Sequence, residues 1–328
     1  MVQYTKVIDI AQINTSEINF SEEIKELKKE KNALILSHNY QIPEIQDLAD
    51  VVGDSLNLSL QALNSDKDLI IFCGVNFMAE TAAILAPKKK ILIPDLQAGC
   101  SLADTINVKQ LREWKQKHPN SVVVSYINTS AEIKAESDYC CTSSNAVKVV
   151  EEIPQNKEIL FLPDLFLGAY IENMTGRKMH VWPGECHVHA KLTANEINLM
   201  RDTYSNADFL VHPECGCVSN ILFELSEGNI KSDKTKILST GGMIDYANKS
   251  NANEFVVATE TGILHQLRKQ NPKKEFHPVK ENAVCEYMKM ITLEKVYKSL
   301  NEEVYEVKVP EEIINKAIKP ITRMINIR

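Results

Sequence analysis

The sequence lacks the features that mark a nucleic-acid-binding protein or a membrane protein. Its lysines are scattered, the longest run covers residues 88–90, and the formal net charge is −7. Binding to a phosphate backbone requires a basic surface, so we expect no nucleic-acid partner. No apolar stretch approaches the roughly 20 residues that span a bilayer, and the N-terminal segment lacks a basic region followed by an apolar one. These absences predict a cytoplasmic protein that makes no contact with a membrane.

The sequence also lacks a compact cysteine motif around Cys100, Cys186 and Cys285. Eight cysteines occur, at positions 73, 100, 140, 141, 186, 215, 217 and 285. The cytoplasm keeps thiols reduced, so we expect no structural disulfide, which leaves metal binding, redox chemistry or simple burial. Neither Cys100, Cys186 nor Cys285 lies in a C-x-x-C pair. Local spacing alone is therefore a weak indication of a metal site.

What the chain does contain is one order of elements that occurs three times. An apolar run ends in polar residues at 33–40, 121–128 and 208–214 (ALILSHNY, SVVVSYIN, DFLVHPE). A hydroxyl cluster follows at 53–55, 142–144 and 239–242 (GDS, TSS, STGG), then a second apolar run, then a third segment that ends in a cysteine. From Ser55, Ser143 and Ser239 to those cysteines the steps are 45, 43 and 46 residues. The agreement indicates three copies of one structural unit.

Short apolar runs that alternate with amphipathic stretches predict right-handed βαβ units with parallel sheets. We expect an α/β protein of three repeated three-layer αβα sandwich units, in a pseudo-threefold arrangement around a central cavity. The predicted units cover residues 1–105, 106–195 and 196–289. Residues 290–328 read as helical and are expected to pack beside the first unit.

The equivalence of Cys100, Cys186 and Cys285 favours a shared role. Any one of them could be a plain buried thiol, since free cysteine is among the most buried residue types. Three equivalent thiols meeting at one cavity would hold one 4Fe-4S cluster per chain. Such a cluster usually takes four thiolates, so three would leave one iron open to act as a Lewis acid.

The hydroxyl clusters and the strand ends supply candidate binding and catalytic groups. Serine and threonine at helix starts make anion sites, although simple N-capping explains any one of them equally well. The strand ends offer imidazole, phenol, amide and carboxylate groups suited to repeated proton transfers. These groups belong to His38, Tyr40, Tyr126, Asn128, His212 and Glu214. His187 and His189 alternate, so only one of them should face the site.

Several stretches of the sequence resemble signature segments of bacterial and archaeal quinolinate synthases. They include HNYQIPEIQDLADVVGDSL, PDLQAGCSLAD, YINTSAEIKAESDYCCTSSNA, WPGECHVH, HPEC and ETGILHQLRKQNPKKEF, within residues 32–293. The resemblance implies condensation of iminoaspartate with dihydroxyacetone phosphate to quinolinate, with loss of phosphate and water, in NAD biosynthesis. It implies three α/β domains around an oxygen-sensitive 4Fe-4S cluster, and a functional partner that oxidises aspartate to iminoaspartate.

The resemblance also carries residue roles onto this chain. Cys100, Cys186 and Cys285 match the cluster ligands. Binding and catalytic positions fall on His38, Tyr40, Ser55, Tyr126, Asn128, Ser143, His189, His212, Glu214, Ser239 and Thr240. Among these, Glu214 and Tyr40 are expected to transfer protons, and His38 and Tyr126 to position substrate, with His212 as a further catalytic candidate. Some family members place the last ligand in a C-x-x-C-x-x-C run, but here positions 279 and 282 are Val279 and Asn282. A thiol switch at that place is therefore not expected.

Two other functions compete with this interpretation. HPECGC (212–217) and CHVH (186–189) bring imidazole and thiolate close together, as a zinc-dependent hydrolase or lyase would require. Cys140–Cys141 or Cys215-x-Cys217 could instead form a non-catalytic redox sensor. Iron and sulfide content separates the first alternative from a cluster enzyme, and turnover separates the second.

Overall fold

The computed structural model of this chain describes residues 19–327, apart from residues 229, 231 and 232. Its framework is three four-stranded parallel sheets with flanking helices. This confirms the predicted α/β class with three repeated units. Helix α1 (Phe20–Glu30) precedes the first sheet, and residues 1–18 of the predicted first unit lie outside the described residues.

The three units run through the same series of strands and helices. The first contains β1 (Leu34–His38), α2 (Pro43–Leu48), β2 (Val51–Gly53), α3 (Ser55–Asn64), β3 (Leu69–Cys73), α4 (Asn76–Leu85) and β4 (Lys90–Leu92). The second contains α5 (Val108–Lys117), β5 (Val122–Tyr126), α6 (Ala131–Ala135), β6 (Tyr139–Cys141), α7 (Ala146–Glu151), β7 (Ile159–Leu162), α8 (Leu165–Thr175) and β8 (His180–Val181). The third contains α9 (Ala194–Thr203), β9 (Asp208–Val211), α10 (Val218–Ser226), β10 (Thr235–Ile237), α11 (Thr240–Lys249), β11 (Glu254–Ala258), α12 (Ile263–Gln270), β12 (Glu275–Pro278) and α13 (Glu286–Lys289).

The order of strands is the same in every sheet. It is β2-β1-β3-β4 in the first, β6-β5-β7-β8 in the second and β10-β9-β11-β12 in the third. The first strand of each unit thus lies inside its sheet, between the second and the third. In open parallel sheets the crossovers leave to opposite sides at this point, and ligands bind beyond the carboxyl ends of the strands there. The repeat therefore places the ends of β1, β5 and β9 at the position best suited to a site.

Burial on both faces explains why these strands read as continuous apolar runs. Every residue of β3, β7 and β9 is buried. Phe72, Phe161 and Phe255 occupy the third strand of their respective units and are at most 1% exposed. Truncating such a phenylalanine to alanine typically costs about 3–5 kcal/mol. The core of each unit is thus built around an equivalent aromatic residue.

The repeat extends to single hydrogen bonds. The Asp50 carboxylate accepts a hydrogen bond from the Ile35 amide at 2.8 Å, and the Asp138 carboxylate accepts one from the Val123 amide at 2.9 Å. Each aspartate directly precedes the second strand of its unit and fixes the first strand beside it. The first and second units therefore share this aspartate-to-amide hydrogen bond as well as the order of their strands.

The C-terminal segment forms two helices, α14 (Leu293–Glu302) and α15 (Glu311–Asn326). Helix α14 packs against α1 and β3. Helix α15 contacts α4 of the first unit, but also α6 and β6 of the second. Because it is amphipathic along its whole length, it covers apolar surface of both units. The C-terminal segment thus contacts elements of both units.

Asn145 ties the end of α15 to the second unit. Its Nδ2 donates to the carbonyl oxygens of Met324 and Ile327, both at 2.8 Å. Its Oδ1 accepts from the Thr142 amide at 2.8 Å and from the Thr142 hydroxyl at 3.1 Å. The last carbonyls of a helix have no hydrogen-bond partner within the helix. The buried side-chain amide of Asn145 binds two carbonyls at the end of α15 and also holds the loop before α7.

No helix in the described part of the chain is long and apolar enough to cross a membrane. The unit boundaries and the pseudo-threefold arrangement around a central cavity stay predictions.

Candidate active site

One pocket is lined by residues from all three units, and its cavity volume is about 70 Å³. With the exception of Ser239, all residues predicted for the site line it: His38, Tyr40, Ser55, Cys100, Tyr126, Asn128, Ser143, Cys186, His189, His212, Glu214, Thr240 and Cys285. The structure thus brings together residues that are up to 247 positions apart in sequence.

The ends of β1 and β9 position their polar side chains in the same way. The His38 Nδ1 accepts a hydrogen bond from the Tyr40 amide at 3.2 Å, and the His212 Nδ1 accepts one from the Glu214 amide at 3.4 Å. In both units the imidazole therefore folds back over its own turn. The side chain two residues later, Tyr40 or Glu214, also lines the pocket.

Glu214 is the centre of the polar network. Its carboxylate accepts a hydrogen bond from the Tyr126 hydroxyl, and it lies 3.1 Å from His189 Nδ1 and 4.0 Å from His212 Nδ1. Burial opposes its ionisation, but His212, His189 and Tyr126 outweigh burial and lower the pKa of Glu214 to about 2. The residue is a buried, ionised carboxylate contacted by groups of the second and third units.

His189 connects this carboxylate to a second set of partners. Its Nε2 lies 2.8 Å from the Thr259 hydroxyl, which in turn lies 2.5 Å from the Tyr40 hydroxyl. Its Nδ1 lies 3.3 Å from Cys186 Sγ. Burial opposes a charge on His189, but Cys186 and Glu214 raise its pKa to about 10. His189 is therefore the protonated partner of the ionised Glu214.

Burial keeps two further imidazoles and two phenols of the pocket neutral. Burial lowers the pKa of His38 and of His212 to about 3. Burial and the nearby Glu214 carboxylate raise the pKa of Tyr40 and of Tyr126 well above its usual value. Two neutral imidazoles and two protonated phenols thus lie in the pocket together with the Glu214 carboxylate.

The three predicted ligand cysteines line the same pocket from three separate loops. Cys100 follows β4, Cys186 follows β8 and Cys285 follows β12. Burial raises the pKa of Cys100 to about 12 and of Cys285 to about 11, and it also raises that of Cys186. Thiolates are therefore unfavourable here unless a positive centre compensates their charge.

The donor set fits a metal-containing group. Cys186, His189 and Glu214 offer ligand atoms within 4.8 Å of one another and could hold a metal ion. The buried Asn128 Oδ1 lines the pocket and has no hydrogen-bond partner among the described residues. A polar atom left in this state indicates that a ligand completes the site.

The hydroxyl clusters are placed differently from what residue counting predicts. Ser55 and Thr240 are the first residues of α3 and α11, and both line the pocket. Ser239 instead caps α11, accepts from the Gly242 amide at 3.2 Å and donates to Asp54 at 3.2 Å. It lines a neighbouring pocket. By its position at the start of a helix, Ser55 is equivalent to Thr240. By spacing along the sequence, Ser55 is equivalent to Ser239, one residue earlier.

Other lining residues escaped sequence reasoning. Asp54 lies between the two pockets, and a Cβ on Gly241 would approach its carboxylate to 2.7 Å. Glu260 accepts from the Cys285 amide at 3.1 Å and pairs with Lys289 at 3.0 Å. Asp54 belongs to the GDS cluster and Glu260 follows β11. Nothing in the spacing of these two residues along the sequence predicted that they line the site.

The expectation of no disulfide is wrong at one place. Cys215 and Cys217 are bonded to each other. The expectation rested on the cellular compartment, whereas a tight turn at Gly216 brings the two thiols together locally. A Cβ on this glycine would come within 2.7 Å of the Ala190 carbonyl oxygen. Both sulfurs are thereby withdrawn from the zinc site that HPECGC suggested.

Of the two histidines in CHVH, only His189 lines the pocket. His187 contacts Ser101 and Glu286 instead. The segment forms a turn and a short 3-10 helix. His187 and His189 therefore point in different directions without being part of an extended strand.

Comparison with known proteins gives a single consistent result. The family model described as "NadA: Quinolinate synthetase A protein" matches residues 22–326. A quinolinate synthase from Pyrobaculum aerophilum is 54% identical over 303 residues, which cover 92% of this chain and 98% of the relative. A quinolinate synthase from Thermus thermophilus is 52% identical over 305 residues, 93% of this chain and 96% of the relative. One from Mycobacterium tuberculosis is 51% identical over 306 residues, 93% of this chain and 88% of the relative.

Proposed function

The chain belongs to the quinolinate synthetase A family, and from this premise we propose that it condenses iminoaspartate with dihydroxyacetone phosphate to quinolinate. The reaction releases phosphate and water and provides the pyridine ring for NAD biosynthesis. The observation that supports this most strongly is the convergence of three thiols and three sets of polar strand ends on one pocket.

A 4Fe-4S cluster is the group that we propose Cys100, Cys186 and Cys285 hold. Three thiolates leave one iron without a cysteine ligand, and this iron supplies a Lewis acid when the cluster is bound. Cys73, Cys140 and Cys141 are buried but do not line the pocket, and Cys215 is bonded to Cys217. A fourth cysteine ligand is therefore not available among the described residues.

Polar groups of the chain would bind and orient the two anionic substrates. Ser55 and Thr240 begin ten-residue helices, where free amide groups and the helix dipole favour a phosphate or a carboxylate. Ser143 adds a hydroxyl from the second unit. The unpartnered Asn128 Oδ1 accepts a hydrogen bond from substrate.

Proton transfer is assigned from the charge states in the pocket. Glu214 is the proton acceptor, because its carboxylate stays ionised and its oxygens contact groups of the second and third units. Tyr40 is the donor, since its hydroxyl keeps its proton and bonds to Thr259. His38 and His212 are neutral imidazoles that orient substrate. Tyr126 holds Glu214 in place.

Iminoaspartate is an imine that water hydrolyses, so a supply close to the site is advantageous. We propose that an aspartate-oxidising enzyme provides it and that both enzymes work in the cytoplasm. Support for this comes from the chemistry of the substrate and from the sequence composition.

An anaerobic assay for quinolinate tests the function directly. The purified chain is mixed with dihydroxyacetone phosphate and with iminoaspartate formed in the assay from oxaloacetate and ammonia. We expect quinolinate to form at a rate that follows the iron and acid-labile sulfide content. Zinc without sulfide would instead favour the hydrolase alternative at Cys186, His189 and Glu214.

Cysteine variants test the cluster ligands. Alanine in place of a pocket cysteine should abolish the iron-sulfur absorbance, whereas alanine in place of a buried cysteine outside the pocket should retain most of it. The first set is Cys100, Cys186 and Cys285, and the matched controls are Cys73 and Cys140. Full cluster content in any variant of the first set would refute the assignment.

A further inference from the structure

A chain of hydrogen bonds joins the three loops that carry the pocket cysteines. Its members are the residues that directly follow those cysteines: Ser101 after Cys100, His187 after Cys186 and Glu286 after Cys285. The Ser101 hydroxyl lies 2.6 Å from His187 Nδ1. The His187 Nε2 lies 2.9 Å from the Glu286 carboxylate. One imidazole thus binds the other two loops through its two ring nitrogens.

The donors and acceptors of this chain are matched. A carboxylate only accepts, so Nε2–H of His187 donates to Glu286. In the neutral imidazole Nδ1 then carries a lone pair, and it accepts the proton of the Ser101 hydroxyl. All three side chains are satisfied by a single tautomer.

The hydrogen-bonded chain lies behind the thiols. Ser101, His187 and Glu286 do not line the pocket, whereas the three cysteines do. The His187 and Glu286 side chains are 26% and 64% exposed, so this side faces solvent. The Tyr287 ring packs edge-on against His187 with its centre 5.8 Å away. Each loop therefore turns its cysteine to the pocket and the next side chain outward.

We infer that Ser101, His187 and Glu286 form a clamp that positions the three cysteine loops for the cluster. This inference rests on the proposed cofactor. The loops come from three different units, and no hydrogen bond of a sheet connects these units within the described part of the chain. Outer-shell hydrogen bonds hold ligands in place, and their loss typically lowers metal affinity about 10–100-fold. The clamp acts as such a shell, and its members are positioning residues.

Release of iron from the loaded protein tests the clamp without measuring activity. The full chain is reconstituted anaerobically, and iron transfer to a ferrous chelator is followed in wild type and in His187→Ala. We expect release to be faster by about 10–100-fold in the variant. Ser101→Ala removes the other end of the same bond, retains the imidazole and should also release iron faster.

His265→Ala is the matched control. His265 Nε2 lies 2.9 Å from Asp47, and this bond also joins the first and third units. The His265 side chain is 23% exposed, close to the 26% of His187. It lies outside the pocket lining, so His265→Ala should match wild-type iron release even if it lowers the melting temperature.

The outcomes separate the clamp from the proposed cofactor. Faster release in both His187→Ala and Ser101→Ala, with wild-type release in His265→Ala, supports the clamp. Equal release in all four proteins overturns the clamp and leaves the cluster assignment standing. Equally fast release in the three variants shows a general effect of contacts between units, which also overturns it. If wild-type protein takes up no iron and sulfide, the proposed cofactor and the clamp fail together.

Discussion

Tyr126→Phe probes the centre of the proposed site. The change removes one hydroxyl, and with it the hydrogen bond that Tyr126 donates to the buried Glu214 carboxylate. A hydrogen bond to a charged group contributes roughly 1.5–3 kcal/mol. If the bond positions Glu214 for proton transfer, its loss should lower kcat/KM about 10- to 150-fold, since about 1.4 kcal/mol corresponds to a factor of ten.

The same change should also alter the pH dependence of the reaction. His212 and His189 keep the pKa of Glu214 at about 2 against the effect of burial, and the hydrogen bond from Tyr126 lowers it further. Without that bond the pKa rises, so the acidic limb of the pH–rate profile should move to higher pH. Both quantities come from anaerobic initial rates of quinolinate formation, measured with protein of equal iron content.

Tyr246→Phe is the control for this prediction. Tyr246 donates to the Asp208 carboxylate at 2.9 Å, the same kind of bond as that of Tyr126, but it lies outside the pocket. We expect its kcat/KM to stay within about twofold of wild type, which is far below the loss calculated for Tyr126. Wild-type kcat/KM in Tyr126→Phe would refute the role of this bond, as would an equal loss in the control.

Three further predictions concern the hydroxyl positions, a buried arginine and the tie to α15. Ser143→Ala should weaken binding of dihydroxyacetone phosphate in calorimetry, whereas Ser239→Ala should mainly lower the melting temperature, because only Ser143 lines the pocket. Arg177→Met should destabilise the chain by on the order of 3–5 kcal/mol, because its guanidinium donates to four backbone carbonyls between residues 150 and 157. Arg201→Met should shift the melting temperature far less, since Nη2 of Arg201 is buried without a hydrogen-bond partner among the described residues. Asn145→Ser keeps a residue suited to a helix start but should raise KM for dihydroxyacetone phosphate, because the loop around Ser143 loses its tie; an unchanged KM would contradict this.

The sequence predicted the features that repeat. Three copies of one order of elements were visible because each unit needs the same buried strands, and the polar residues at the strand ends follow from that order. His38, Tyr126 and His212 could therefore be placed together from the order of the elements alone. The cysteines were identified in the same way, by their equivalent positions in the units.

Features that do not repeat could not be predicted. Thr259 contacts Tyr40 across 219 positions, and no periodic pattern relates the two. His187 lies beside a cysteine, but its partners come from other units, so its role appears only when the three loops are assembled. Whether Ser239 or Thr240 lines the pocket could not be predicted either, because it depends on the residue at which α11 begins.

The hydrogen bonds of Asn145 have a consequence for the synthesis of the protein. They join the loop before α7 to carbonyls 179 and 182 positions later in the chain. A ribosome adds about 5–20 residues per second, so the loop stays without this support for roughly 10–40 s after it is made. Cys100 and Cys186 are made before Cys285, and all three precede α15. An emerging chain therefore contains its first two pocket thiols well before Cys285, and the proposed cluster would find all three thiols only after most of the described chain has been made.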